Sequence, residues 1–191
     1  MKRFEIPVGI SARHIHLCLA DLEVLFGEGA TLHPIKTLMG GQYAADERVT
    51  IVGGNGRQIE AVRVLGPLRG DTQVELSKTD TMFLKLQAPL RDSGDIEGTP
   101  GVTLVGPKGQ VTLEKGCIVA KRHVHMSTED AMNFELKDKD LISLDFEGER
   151  SATLNNVLVR VDASFTLELH IDTDEANALD VKPNQSVVYE A

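Results

Sequence analysis

The stretch Arg13-His14-Ile15-His16 recurs in the second half of the chain as Arg122-His123-Val124-His125. Side chains alternate between the two faces of a β-strand, so each repeat places both imidazoles on one face and the apolar residue on the other. Two imidazoles on one face can bind a metal ion. Six histidines in 191 residues would not be expected to form two such pairs by chance, each preceded by arginine, although ordinary strand histidines are the alternative. The repeat therefore predicts an internally duplicated fold with two metal sites.

Composition restricts the class of protein. With 191 residues and 20.8 kDa the chain can form one large or two small domains, and the repeat favours two. A net charge of −9 and a pI near 5.1 argue against a nucleic-acid partner. Without an apolar run of eighteen residues or a signal peptide, we expect a cytoplasmic protein with no membrane partner. Cys18 and Cys117 are expected to be free thiols, which leaves histidine and carboxylate as metal ligands.

Strand signals outnumber helix signals along the chain. The β-branched-rich segments cover residues 5–10, 49–52, 59–65, 73–76, 102–105, 110–113, 118–120, 141–146, 152–161, 166–171 and 186–189. Short helices are predicted at 19–26, 128–134 and 173–179, the second with a capping-box spacing at Ser127 and Asp130. We predict a mainly β protein of two small β-barrel domains with short helices, related by internal duplication, with the active site in the crevice between them.

The predicted domain boundary falls in a Pro- and Gly-rich segment. Residues 88–101, APLRDSGDIEGTPG, have the composition of a connector. The first domain is therefore expected to cover residues 1–90 and the second to cover residues 91–191.

Each pair of histidines needs a third ligand to form a catalytic zinc site, which typically keeps three protein ligands and one open position. His170 alternates with apolar residues on a predicted strand and is a better candidate than His33, which precedes a proline in a loop-like stretch. For an acidic ligand we favour Glu75, out of phase with Val74 and Leu76. A solvated strand carboxylate is the alternative for this residue.

Arg69 lies in the turn Gly-Pro-Leu-Arg-Gly at residues 66–70. A guanidinium beside two metal ions would bind phosphate through two parallel hydrogen bonds, whereas an ordinary surface arginine is the alternative. Arg13 and Arg122 are interpreted as lying on the back of their strands, paired with carboxylates. The sequence contains no phosphate-binding loop, dinucleotide fingerprint or nucleophile elbow, so these three chemistries are unsupported.

At this point the chain resembles the PduL-type phosphate acyltransferases, that is, the phosphate propanoyltransferases, a class of phosphotransacylase. The resemblance covers nearly the whole sequence. It rests on the stretches VGISARHIHL (8–17), VLGPLRGDTQVELSKTD (64–80), APLRDSGD (88–95), GVTLVGPKG (101–109), RHVHMS (122–127) and HIDTDEAN (170–177). It implies two β-barrel domains and two zinc ions between them. The implied reaction is reversible transfer of a short acyl group, propanoyl or acetyl, between coenzyme A and phosphate, a step of propanediol degradation.

The resemblance also implies roles for individual residues. One zinc ion would be bound by His14, His16 and Glu75, and the other by His123, His125 and His170. Arg69 matches the phosphate-binding, catalytic arginine. The positions that match coenzyme A contacts are Ser11, Lys36, Arg63, Leu65 and Asn177.

The sequence also departs from the family in two places. Where the family often has an aromatic residue after the Thr-Asp motif, this chain has Met82, with Phe83 one place later. The chain begins almost at its first strand, without an extension of the kind that directs similar enzymes into a bacterial microcompartment. Encapsulation is therefore not predicted.

Two other functions are compatible with the same ligands. A dizinc hydrolase would transfer the acyl or phosphoryl group to water rather than to phosphate. A non-catalytic protein in which zinc only joins two small barrels would require closed sites with four ligands. The expected small-molecule partners are acyl-CoA, phosphate and acyl phosphate, and a homo-oligomer is compatible with the sequence.

Overall fold

A computed structural model describes residues 3–190 and confirms a mainly β protein. The strands are β1 Arg3–Ser11, β2 His14–His16, β3 Pro34–Thr37, β4 Tyr43–Val52, β5 Gln58–Gly66, β6 Gln73–Glu75, β7 Leu90–Arg91, β8 Thr103–Val105, β9 Gln110–Thr112, β10 Cys117–Ala120, β11 His123–Met126, β12 Leu141–Phe146, β13 Ala152–Val161, β14 Glu168–Asp172 and β15 Ser186–Glu190. The helices are α1 Leu19–Phe26, α2 Lys78–Leu84, α3 Thr128–Phe134 and α4 Thr173–Leu179, with a 3₁₀ turn at Met39–Gly41. Among the described residues, no helix has the length and apolar character needed to cross a membrane.

One compact unit consists of residues 3–12 together with residues 121–190. It is a closed barrel in which neighbouring strands follow the order β1, β14, β11, β13, β12 and β15, and β15 pairs with β1. The barrel core contains Val124, which lies between the two histidines of the second repeat and is fully buried. The alternation of β11 therefore points the apolar side chain into the core, as the sequence predicts.

The second compact unit consists of residues 13–120. Within the described part of the chain it contains a nine-stranded, curled sheet with the order β7, β10, β6, β2, β5, β4, β8 and β9, and β3 pairs with β4. Ile15, between the histidines of the first repeat, is fully buried in this unit's own core. The two repeats are thus embedded in separate hydrophobic cores in the same way.

The strand that precedes each repeat belongs to the other unit. β1 precedes the first repeat but pairs in parallel with β14, and β10 precedes the second repeat but pairs in parallel with β6. The pairing is equivalent in register, because Gly9 lies opposite His170 and Ile118 opposite Glu75. Each of these two residues stands five positions before the first histidine of its repeat. The two halves have therefore exchanged one strand each.

The strand exchange explains why the compact units differ from the predicted ranges 1–90 and 91–191. The chain passes between units at Ala12–Arg13 and at Ala120–Lys121. The segment 88–101, predicted as the connector, lies inside one unit, where Leu90 pairs with Val119 of β10. The segment is tied into this unit as well by a backbone hydrogen bond, in which the Pro89 carbonyl accepts from the Val119 N–H at 2.9 Å.

Capping boxes mark the start of α2, α3 and α4, whereas Cys18 at the start of α1 makes no side-chain capping bond. The predicted helices 19–26, 128–134 and 173–179 are confirmed at the same bounds, but α2 was not predicted. Like Ser127 in α3, Ser77 at the start of α2 accepts a hydrogen bond from the backbone N–H three residues later, and Asp80 completes the capping box. The Ser-x-x-Asp spacing in residues 77–80 was the available signal for this helix.

If β1 is part of the barrel, its buried side chains should stabilise the second half of the chain. Ile6→Ala removes a fully buried side chain from the barrel core and should lower the free energy of unfolding by about 2–5 kcal/mol. Ile10→Ala on the same strand is the matched control, because Ile10 is 47% exposed. Urea denaturation of both variants provides the measurement. Equal losses for the two variants would contradict the placement of β1 in the barrel.

Candidate metal centre

The first predicted ligand group is assembled by the antiparallel pair β2 and β6. Their register places His14 directly opposite Glu75 and His16 opposite Gln73. One ligand atom from each of His14, His16 and Glu75 lies within 4.8 Å of the other two, and all three side chains are buried. His14 Nε2 lies 3.4 Å from a Glu75 carboxylate oxygen, Oε2. We call these three residues the first ligand group.

The second predicted group arises from the equivalent pair, β11 and β14. The antiparallel register places His123 opposite His170 and His125 opposite Glu168. The ligand atoms of the three histidines again lie within 4.8 Å of one another, and His125 is buried while the other two are half-buried. His123, His125 and His170 are hereafter the second ligand group. The structure thus brings together all six residues predicted as ligands, three in each group.

Unpartnered ring nitrogens test whether these groups suit a metal ion. The Nδ1 atoms of His16 and His125 are buried and have no hydrogen-bond partner among the described residues. Burial, reinforced by neighbouring positive charge, lowers the pKa of each of the two rings to about 3. Both imidazoles are therefore neutral at neutral pH, which is the form that binds metals. A buried ring nitrogen without a hydrogen-bond partner fits a metal-binding site.

Hydrogen bonds fix the orientation of other ligand rings. His123 Nδ1 lies 2.8 Å from the Lys121 carbonyl oxygen, which can only accept, so this nitrogen carries the proton and Nε2 remains as the metal-binding atom. The His170 Nε2 atom lies 2.6 Å from a Glu168 carboxylate oxygen. These contacts are of the kind that support metal-bound histidines in proteins.

Glu75 is held as an ionised carboxylate. Its Oε1 atom accepts hydrogen bonds from Gln73 Nε2 at 2.6 Å and from Ser93 Oγ at 2.7 Å. Burial alone would raise the pKa of Glu75, but the His14 charge and the hydrogen bonds from His14 and Ser93 hold this pKa well below its usual range. Because both supporting donors bind Oε1, Oε2 faces His14 and is available to a cation.

Arg69 is connected to the first ligand group through Ser93. Its Nη1 donates to Ser93 Oγ at 3.2 Å, and the same hydroxyl donates to Glu75. The Arg69 backbone N–H donates to the Leu17 carbonyl at 2.9 Å, which ties the turn to the segment following β2. Sequence reasoning identified Arg69 and Glu75 but missed Gln73 and Ser93. Gln73 lies two residues before Glu75, on the same face of the strand, and this spacing was the available signal.

The arginines of the two repeats pair with carboxylates, as predicted. Arg13 Nε lies 2.8 Å from Asp80 Oδ2, and Arg122 Nε lies 2.8 Å from Glu175 Oε1. Each carboxylate belongs to the capping box of the helix that follows the third-ligand strand. These arginines therefore join each histidine strand to the neighbouring helix and have a structural role.

The residues predicted to contact coenzyme A are distributed over both units. Ser11, the last residue of β1, and Asn177, in α4, belong to the unit that contains the closed barrel. The other three, Lys36, Arg63 and Leu65, belong to the unit with the curled sheet. The Arg63 guanidinium donates to the Ala45 carbonyl at 2.6 Å, and Arg63 lies opposite His14 in the β2–β5 pair.

Five further residues singled out from the sequence lie outside the ligand groups. His33 is exposed and paired with Glu47, so its predicted surface position is confirmed. Cys18 and Cys117 are free thiols, also as predicted. Burial raises the pKa of the Cys117 thiol to about 12, which leaves it protonated at neutral pH. Phe83, which follows the exposed Met82, has the Arg57 guanidinium over its ring at 5.1 Å.

Comparison with known proteins identifies the family. A family model described as phosphate propanoyltransferase matches residues 7–182. Proteins named phosphate propanoyltransferase from Lachnoclostridium phytofermentans and Thermotoga maritima are 52% and 55% identical to this chain. The alignments cover 96% and 91% of the chain and 86% and 83% of the relatives. A third, from Salmonella typhimurium, is 49% identical over 93% of the chain and 85% of its own length. The chain belongs to the phosphate propanoyltransferases, a family of acyltransferase enzymes.

Proposed function

We propose that the protein transfers a short acyl group, propanoyl or acetyl, reversibly between coenzyme A and inorganic phosphate, with one zinc ion at each ligand group. The names of its relatives support the reaction class. The observation that carries the proposal is the chain of hydrogen bonds from Arg69 through Ser93 to Glu75. It holds a guanidinium next to a candidate metal ligand, where a phosphate could contact both a cation and the arginine.

The ligand composition favours zinc in a catalytic role. Histidine nitrogens and a carboxylate oxygen are ligands that zinc accepts, and each group contains three of them among the described residues. Three protein ligands leave a coordination position for substrate, whereas a zinc ion that only stabilises a fold is typically surrounded by four. This count favours the enzyme over the non-catalytic alternative.

The proposed reaction is a direct acyl transfer. A phosphate oxygen forms a bond to the thioester carbonyl carbon, the carbon–sulfur bond breaks, and coenzyme A leaves as the thiolate. Zinc, when bound, would supply Lewis acidity for the carbonyl and a soft partner for the thiolate. Arg69 would bind the phosphate through its planar guanidinium and orient the attacking oxygen. The neutral rings of His16 and His125 would hold the metal ions without a competing proton.

Coenzyme A is proposed to contact Ser11, Lys36, Arg63, Leu65 and Asn177. Lys36 is exposed on β3, and the positive charges of Lys36 and Arg63 suit the phosphate groups of the cofactor. We assign no covalent role to the cysteines. The high pKa of Cys117 disfavours the thiolate that a nucleophile requires. Near-normal turnover of a Cys18→Ala variant would exclude an obligatory acyl-cysteine at Cys18.

The reaction class predicts that phosphate is an obligatory substrate. Thiol release from propanoyl-CoA or acetyl-CoA should require phosphate, and the product should be an acyl phosphate that hydroxylamine traps, because the proposed acceptor of the acyl group is a phosphate oxygen. The reverse reaction, from acyl phosphate and coenzyme A, should also proceed. A thiol-reactive dye measures the release. Full-rate release without phosphate would show that water is the acceptor and would favour the dizinc hydrolase instead.

The ligand assignment predicts that loss of one histidine removes a metal ion. His125→Ala leaves two ligands in the second group and should abolish binding of one zinc ion and most of the activity. Elemental analysis and turnover are measured on the same preparation. His33→Ala is the matched control, since His33 lies on the surface outside both groups. Full zinc content and wild-type turnover in His125→Ala would show that the assignment is wrong.

The phosphate role of Arg69 predicts a selective effect of Arg69→Lys. Lysine keeps the charge but loses the planar pair of donors, so the KM for phosphate should rise by the equivalent of about 1.5–3 kcal/mol. The KM for acyl-CoA should change less, and steady-state kinetics with each substrate varied in turn measures both. Arg48→Lys, a surface substitution, is the control. Equal changes in the KM for phosphate and the KM for acyl-CoA would show that Arg69 does not bind phosphate.

A further inference from the structure

We propose that Glu168 is a positioning residue that holds the His170 ring in the tautomer and orientation required for metal binding. The inference rests on the metal sites of the proposed function, but it concerns a residue outside both ligand groups. Its carboxylate oxygen Oε2 lies 2.6 Å from His170 Nε2. Because a carboxylate accepts hydrogen bonds, this contact places the ring proton on Nε2 and leaves the Nδ1 lone pair for a cation.

The duplicated fold contains an equivalent of Glu168 at the other site. Gln73 lies opposite His16 in the β2–β6 pair, and Glu168 lies opposite His125 in the β11–β14 pair. Each precedes the third ligand of its group by two residues and therefore lies on the same face of the strand. Each forms a side-chain hydrogen bond of 2.6 Å with that ligand. The same contact thus occurs independently at both sites.

The chemistry of each supporting residue matches the ligand that it holds. Glu75 is an acceptor and is held by a donor, the amide nitrogen of Gln73. The orientation of that amide is fixed, because its oxygen accepts a hydrogen bond from the Gly94 N–H at 2.7 Å. His170 has a ring N–H to donate and is held by an acceptor, the carboxylate of Glu168. Complementary chemistry in both halves favours a positioning role over a surface ion pair.

The neighbouring strand leaves room for the Glu168 carboxylate. Gly9 on β1 lies opposite His170, and a methyl group at Gly9 would lie 2.8 Å from the carboxyl carbon of Glu168. The backbone of Gly9 does not lie in the left-handed region, so its conformation does not require glycine. The missing side chain instead leaves space for the Glu168 carboxylate. Gly9→Ala should therefore displace the carboxylate without removing it.

The first test needs no metal. In the metal-free protein at alkaline pH, nitrogen-15 NMR of the histidine side chains should show the Nε2–H tautomer for His170. His170→Asn assigns the signal by its loss. In Glu168→Ala the His170 ring should populate both tautomers. Glu149→Ala removes an exposed carboxylate from the same unit and should leave the His170 tautomer unchanged. An unchanged His170 tautomer in Glu168→Ala would overturn the proposal.

The second test measures zinc affinity by competition with a chromophoric chelator. The wild type should bind two zinc ions. Glu168→Ala should lower the affinity for one of them by about 10- to 100-fold, the usual effect of removing a residue that supports a metal ligand. Gly9→Ala should lower the affinity for the same ion. Glu168→Gln should recover much of the affinity, because the amide oxygen can still accept from His170 Nε2–H.

The outcomes separate this inference from the proposed function. If the wild type binds no zinc, the proposed metal chemistry fails, while the NMR experiment still decides whether Glu168 holds the ring. If the wild type binds two ions and Glu168→Ala binds both with unchanged affinity, the positioning role fails alone. A loss in Glu168→Gln as large as in Glu168→Ala would identify Glu168 as a ligand instead and would also overturn the proposal.

Discussion

The backbone pairing of β2 with β6, and of β11 with β14, is the constraint on which both candidate sites depend. A short antiparallel pair brings the first histidine of each repeat directly opposite the third ligand, Glu75 in one unit and His170 in the other. A shift of one residue in either register would turn the third ligand toward the hydrophobic core. The fully buried Val74 and Leu169, which lie next to Glu75 and His170 on these strands, oppose such a shift, because it would expose them. Core packing and ligand geometry are therefore determined by the same register.

The exchange of β1 and β10 places a second neighbour against each third-ligand strand. β14 is flanked by β11 on one side and β1 on the other, and β6 is flanked by β2 and β10. A strand between two hydrogen-bonded neighbours cannot twist or slip as an edge strand can, so His170 and Glu75 are held from both sides. Because each flanking strand comes from the half of the sequence that contains the other repeat, neither ligand group is supported by a contiguous half of the chain.

Local patterns predicted much of the fold and of the site, and long-range pairing accounts for the rest. Alternation predicted the strands and capping residues predicted α3. The phase of Glu75 and His170 on their strands selected the residues that the structure places beside the two histidine pairs. The strand exchange was missed because periodicity shows that residues 5–10 form a strand but not which strand they pair with. The connector was misassigned for a similar reason. Proline and glycine are as common in a structured loop that contains Ser93 as in a linker.

The two sites differ in where they carry their carboxylate. In the first, Gln73 donates its side-chain amide to the candidate ligand Glu75, and in the second, the Glu168 carboxylate contacts the ring of the candidate ligand His170. Each pair contains one acidic group, but only Glu75 is placed to reduce the charge of a bound cation directly. Arg69, whose positive charge lowers the pKa of His16, lies beside this first group. The second ligand group has no carboxylate among its three members, so a divalent ion bound there would keep more of its charge. The two candidate sites therefore differ electrostatically, although equivalent pairs of strands assemble them.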